Sequence, residues 1–318
     1  MKNDQESPVI FILGPTAVGK TATAIELARL TNGEIISIDS RQIYRGLDIG
    51  TAKPTLFQQQ EIPHHLIDIL DLNTPISAGA YRQKALAIVK EIQDRQHQPI
   101  FVGGSGLYVN AVVRGIFDSQ TIDPAIRQAV RAKLRQLGVT ALYNRLLEID
   151  PDTAIKIHIN DAKRITRALE IYLATGEPPS LHYARQERGA PFPYRIFILT
   201  AERQQLYARI NQRVDEMLAA GLVTEVVNLI KAGYRERLEQ LQTLGYQEVL
   251  AYLDGGCSFE EMCARIQQNT RRYAKRQLTW FRNQYPEAIW IDVTDLTTIA
   301  AIVAKIREYL VPNDTNLR

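Results

Sequence analysis

At 318 residues the chain is long for one average domain and short for three, and its 45% apolar and 23% charged content excludes a disordered or fibrous protein. No run approaches the roughly 18 unbroken apolar residues of a membrane-spanning helix, so no membrane association is expected. A net charge of +3 is too small to mark a partner, which leaves the distribution of charge to do so.

The amino terminus, Met1 to Ser7, is polar and runs directly into a strand pattern, leaving no room for a secretory leader; a cytoplasmic location and a monomer are expected. Pro8 to Leu13 is a near-continuous apolar run, as a strand buried on both faces requires. After a glycine-bearing loop, Lys20 to Leu30 places Ala22, Ile25, Leu27 and Ala28 at helical spacing. Further strands are predicted at Glu34 to Asp39, His65 to Leu70 and Pro99 to Val102, with a helix over Ala78 to Asp94. This alternation predicts an α/β fold, a parallel sheet core of the P-loop NTPase type.

From about Gly115 the pattern turns helical, through Pro124 to Leu137, Thr140 to Ile149 and Asp161 to Thr175, and Gly176 to Pro193 reads as a loop. Tyr194 to Thr200 resumes a buried strand. Residues 116–194 are therefore read as a helical insertion domain in a core of 1–115 and 195–318. Helices follow at Glu202 to Ala220, Val223 to Ala232, Gln247 to Leu253 and Phe259 to Asn283, then a strand at Ile289 to Asp292 and a helix at Thr297 to Leu310. Cys257 and Cys263, six apart, suggest neither a disulfide framework nor a zinc site.

Gly14, Pro15, Thr16, Ala17, Val18, Gly19, Lys20 and Thr21 match G-x-x-x-x-G-K-[ST] between a strand and a helix. Backbone N–H groups of such a turn face phosphate oxygens, the helix N-terminus adds partial positive charge, Lys20 neutralises a terminal phosphate and the Thr21 hydroxyl holds Mg²⁺. A diphosphate or a nucleotide such as ATP suits the loop. The usual second metal-binding carboxylate is missing, because the strand at Pro99 to Val102 runs into Gly103, Gly104, Ser105 and Gly106.

Asp39 ends the second predicted strand, at the carboxyl edge where open α/β sheets bind ligands. It can serve as a general base for an incoming nucleophile or simply cap the turn that follows. Between Met262 and Pro286 there are six basic residues and no acidic one, with Tyr273, Trp280, Phe281 and Tyr285 interleaved; Arg272 and Arg276 share one helical face, while Ile266, Tyr273, Leu278 and Phe281 can pack inward. That face suits nucleic-acid phosphates, or is a solvated basic helix. Arg127, Arg131, Lys133 and Arg135, then Lys163, Arg164 and Arg167, add a second basic surface in the insertion. Two such surfaces could grip one stem-loop.

The succession GPTAVGKT, DSRQIYRGLDIGTAKP, VGGSGLY, KRITRALEIY, LGYQE and KRQLTWFRN, spanning Gly14 to Asn283, resembles the bacterial-type tRNA dimethylallyltransferases. The resemblance implies that dimethylallyl diphosphate occupies the P-loop and that the exocyclic amine of adenosine 37 in tRNA, beside the anticodon, displaces diphosphate. It makes Asp39 the base, Thr21 the Mg²⁺ ligand and Arg213 a further clamp on diphosphate, although Arg213 alone reads as a solvated helix residue. It also implies tRNA contacts, with the anticodon stem-loop as partner, at Asp39, Ser40, Arg41, Gln42, Ser105, Arg127, Lys163, Arg164, Ile165, Thr166 and Arg167. Further contacts are implied at Gln242, Thr243, Leu244, Gly245, Tyr246 and Gln247, and at Lys275, Arg276, Gln277, Leu278, Thr279, Trp280, Phe281 and Arg282. Ser105 and Gln247 depart from the expected threonine and basic residue. His64 and His65 read as a polar turn without chemistry. A P-loop kinase of a nucleotide or small molecule is the alternative.

Overall fold

The computed structural model describes residues 7–116, 122–185 and 189–310. Among them are strands β1 (Val9–Leu13), β2 (Gly33–Ile38), β3 (His64–His65), β4 (Gln98–Gly103), β5 (Tyr194–Thr200) and β6 (Ile289–Asp292), in the order β3-β2-β4-β1-β5-β6 with every neighbouring pair parallel. Parallel pairing demands a crossover between neighbours, and the early ones are α1 (Lys20–Thr31), α2 (Leu56–Glu61), α3 (Ala78–Asp94) and α4 (Gly106–Arg114). Between β4 and β5 also lie α5 (Pro124–Ile149), α6 (Pro151–Ala154), α7 (Ala162–Thr175) and α8 (Pro179–Arg185). Then come α9 (Arg203–Ala219), α10 (Leu222–Lys231), α11 (Arg235–Leu241), α12 (Tyr246–Leu253) and α13 (Phe259–Gln284), with α14 (Ile299–Glu308) after β6.

The described residues divide into two compact units, one of Met1–Pro75, Ala85–Val109 and Pro191–Arg318, the other of Ile76–Lys84 and Asn110–Ala190. The sequence reading left Ile76–Lys84 and Asn110–Gly115 in the core and residues 191–194 in the insertion; the compact units divide otherwise. The first unit holds the whole sheet. All five residues of β1 are buried, and Ile10, Ile12, Ile35, Ile100 and Val102 pack on Ala24, Leu27 and Ala28 of α1 and on Ile302 and Ile306 of α14. The opposite faces of β1 and β4 meet through stacked Phe11 and Phe101 rings, with centroids 4.6 Å apart.

The second unit is helical. Its core is Val130, Leu142, Leu146, Ala154, Ile165, Ala168 and Leu169. The Asp123 carboxylate accepts from the Ala125 N–H to start α5, and Gly138, at φ 80° and ψ 170°, interrupts that helix where the sequence suggested two. Gly176 to Pro193 is not a simple loop, because Pro179 opens α8 there. The helices α2, α4, α6 and α11 are likewise absent from the sequence pattern. They are short, and α4 starts at Gly106, the last of the glycines that marked a turn.

Candidate active site

Parallel strands bring their carboxyl ends to one edge, so the turns after β1, β2 and β4 meet there. At the first, Gly14 adopts φ 146°, and a Cβ at that position would lie 2.5 Å from the Leu199 carbonyl oxygen; only glycine closes this turn. Val18 is buried under the loop, and the Lys20 ammonium donates to the Pro15 carbonyl (2.6 Å). Burial pushes the Lys20 pKa down to about 7, the Arg213 charge pushes it the same way, and Asp39 opposes both. Burial likewise lowers Arg213, again against Asp39.

Strand β2 stops at Ile38, so Asp39 is the first residue beyond it rather than its last. Its Oδ1 accepts from the N–H groups of Arg41 (2.7 Å) and Gln42 (3.3 Å), so the turn-capping role is real. Asp39 also lines a cavity of about 830 Å³ shared with Thr16, Lys20, Thr21 and Arg213. Arg213, on α9, is therefore no solvated helix residue. The Ser105 hydroxyl accepts from the Ser40 N–H (3.0 Å), tying the turn after β4 to the one carrying Asp39.

The loop beyond Asp39 is fixed by side chains that sequence reasoning missed. Glu225 of α10 accepts from the N–H groups of Asp48, Ile49 and Gly50 (3.1, 2.7 and 3.2 Å) and from the Tyr246 hydroxyl (2.6 Å). The Gln42 amide donates to the Thr51 and Ala52 carbonyls, and the Arg41 guanidinium to the Leu241 carbonyl. His64 was assigned no chemistry, yet it lines the cavity. Its Nδ1 must carry the proton, because it meets the Ile62 carbonyl at 2.6 Å, and its buried Nε2 has no hydrogen-bond partner. The signal lay in strand pairing: β3 sets His64 opposite Ile35, on the β2 face that also presents Ser37 and Asp39.

On α13 the exposed face carries Arg272, Lys275, Arg276, Thr279 and Arg282, and a shallow concavity of about 520 Å³ there includes the Trp280 ring. Five positions named for tRNA contact carry buried side chains. Ile165 belongs to the second unit's core, Tyr246 and Phe281 are fully buried, and Gln277 is 7% exposed against the P-loop. Thr243 and Gly245 are buried as well, Leu278 is partly buried, and Gln247 bonds the Leu238 carbonyl and Gln242. In the second unit Lys163 and Arg164 are exposed, Thr166 bonds its own helix backbone, Arg127 is half-buried, and Arg167 meets Glu170 at 3.2 Å.

A family model described as IPP transferase matches residues 42–284. The chain belongs to the IPP transferase family. It is 44% identical to a tRNA dimethylallyltransferase of Syntrophobacter fumaroxidans over 98% of this chain and 90% of that one. A Geobacillus thermodenitrificans tRNA dimethylallyltransferase is also 44% identical, over 95% of this chain and 96% of the relative. Among solved structures, a full-length tRNA isopentenylpyrophosphate transferase from Bacillus halodurans is 42% identical with a TM-score of 0.70, covering 96% of this chain and 97% of that one. A eukaryotic dimethylallyltransferase acting on tRNA aligns with a TM-score of 0.83 at 31% identity, covering 97% of this chain and 79% of that one. The IPP transferase match thus spans the loop beyond Asp39 from Gln42 onward, the second unit and α13 together.

Proposed function

We propose that this chain transfers the dimethylallyl group of dimethylallyl diphosphate to the exocyclic N6 amine of adenosine 37 in tRNAs reading codons that begin with U. The observation that carries this reading is the cavity in which the Asp39 carboxylate faces Lys20, Thr21 and Arg213. Breaking the C1–O bond of an allylic diphosphate leaves the electron pair on the diphosphate, whose growing charge the loop N–H groups, Lys20 and Arg213 stabilise. The amine nitrogen forms the new bond to C1, and Asp39 takes the proton it sheds.

The Thr21 hydroxyl offers a hard oxygen donor in this cavity, the type Mg²⁺ takes beside diphosphate oxygens, so the residue fits that ion. Bound there, Mg²⁺ would neutralise diphosphate charge. The basic face of α13 binds RNA backbone, and the anticodon stem-loop supplies the base, which must leave its stack to reach a buried carboxylate. We place the activity in the cytoplasm, in a monomer; among the described residues no helix is long and apolar enough to cross a membrane.

A kinase would share the P-loop, but the end of β4 and the turn after it offer Gly103, Gly104 and Ser105 in place of a carboxylate. Incubation with radiolabelled dimethylallyl diphosphate and unmodified tRNA, in parallel with γ-labelled ATP and candidate acceptors, separates the two. Label in tRNA supports prenyl transfer, and label passing from ATP to a small acceptor overturns it.

A further inference from the structure

Along the inward stripe of α13, Met262, Ile266, Ala274 and Phe281 are buried apolar residues, and Gln277 is the polar residue among them. A buried amide must find partners, and this one finds two backbone groups far away in sequence. Its Oε1 accepts from the Thr16 N–H inside the P-loop (3.0 Å), and its Nε2 donates to the Gly104 carbonyl (3.0 Å) in the turn after β4. The fit is close: a Cβ on Gly104 would lie 2.2 Å from the Gln277 Nε2. One residue further, Ser105 accepts from Ser40, the neighbour of Asp39. A single side chain thus ties the diphosphate loop to the turn that anchors the base.

We infer that Gln277 is a positioning residue that sets the spacing between the P-loop and Asp39, and that it carries RNA docking on the outer face of α13 to both. The inference rests on the proposed function. Arg276, next to Gln277, lies on the exposed face, so an RNA phosphate held there and the amide holding Thr16 move as parts of one helix. Gln277 also borders the cavity, with its amide oxygen and nitrogen engaged by the Thr16 N–H and the Gly104 carbonyl. Its effect falls on diphosphate affinity and turnover, while RNA affinity stays with the outer face.

The test compares the wild-type chain with Gln277→Met, which keeps the volume and loses both hydrogen bonds, and with Gln277→Glu, which keeps the acceptor and loses the donor. Binding of inorganic pyrophosphate with Mg²⁺ is measured by calorimetry with and without saturating tRNA, tRNA binding by fluorescence anisotropy, and turnover separately. Gln277→Met is expected to weaken pyrophosphate by about tenfold or more, to lower kcat, and to leave tRNA affinity within about twofold. Wild-type protein binds pyrophosphate more tightly with tRNA present, and the variant loses that gain. Gln277→Glu recovers as pH falls, when the protonated carboxyl again donates to the Gly104 carbonyl, a rescue that a purely structural defect does not show. If Gln277→Met does not fold, Gly104→Ala displaces the same amide and carries the same measurements. Unchanged pyrophosphate affinity and kcat, or a tRNA loss equal to the pyrophosphate loss, overturns the inference; failure of the wild-type chain to bind pyrophosphate overturns the proposed function itself.

Discussion

Arg213 on α9 and Lys20 at the head of α1 face one cavity, and the charge of the first lowers the proton affinity of the second. Burial is the larger cause, and together they bring Lys20 to about 7. Two positive groups forced together in this way are destabilising until an anion of high charge sits between them. A phosphate site tuned for diphosphate has that character.

Unfolded, Lys20 titrates near 10.5; folded, near 7. Between these values the unfolded chain holds more protons, so stability rises with pH across that window, and below about 7 the full penalty of a buried ammonium remains. Lys20→Met removes this contribution. Denaturant titrations from pH 7 to pH 10 will show the variant's advantage over wild type shrinking as pH rises. Diphosphate binding at pH 8 will take up more protons in wild type than in Lys20→Met, measured by calorimetry in buffers of different ionisation enthalpy.

Asp39 both caps its turn and faces the cavity, so an alanine would confuse the two roles. Asp39→Asn keeps an oxygen for the Arg41 and Gln42 N–H groups and removes the base. Turnover is expected to fall by about 10²–10⁴, with pyrophosphate and tRNA affinities nearly intact. Single-turnover kinetics beside equilibrium binding measure this split.

Arg272 and Arg276 stand on the exposed face of α13, with Arg276 5.8 Å from the centroid of the Tyr273 ring. Replacing both by alanine will weaken tRNA binding and reduce the slope of log affinity against log salt by roughly 1.4–1.8, the loss of two phosphate contacts. Filter binding across a salt series reads the slope, and an unchanged slope would leave these arginines in solvent.

At the other end of β2, Glu34 is 3% exposed. Burial pushes its pKa up, but hydrogen bonds from Arg95, His65 and His97 outweigh that and hold it at about 2. A depressed carboxylate stabilises the fold above the ordinary value near 4.5, and that stability is lost as pH falls toward 2. Glu34→Gln will cost about 1–3 kcal/mol at neutral pH and flatten the acid limb of stability, as thermal unfolding at successive pH values will show.

Much of this was legible in the residues. The buried runs of β1 and β5 name themselves because a strand covered on both faces has no polar alternation. The P-loop is legible because its chemistry demands one spacing of residue types. Tertiary pairing was not: His64 acquires meaning only when β3 is set beside β2, and Gln277 only when α13 is laid over the P-loop. A motif read as an RNA contact, such as KRQLTWFRN, mixes exposed Arg276 and Arg282 with buried Gln277 and Phe281, because a helix rotates each residue by about 100° from the one before it, so a continuous run covers every face. Arg213 looked solvated for the same reason; polar neighbours in sequence hide an inward cation.

The most direct test of the central claim is to incubate the protein with dimethylallyl diphosphate, Mg²⁺ and unmodified tRNA, digest the RNA, and identify its nucleosides by mass spectrometry. A prenylated adenosine is expected at the position beside the anticodon, formed by wild type and almost absent with Asp39→Asn. Unmodified adenosine there after prolonged reaction, in a protein that binds both substrates, would contradict it.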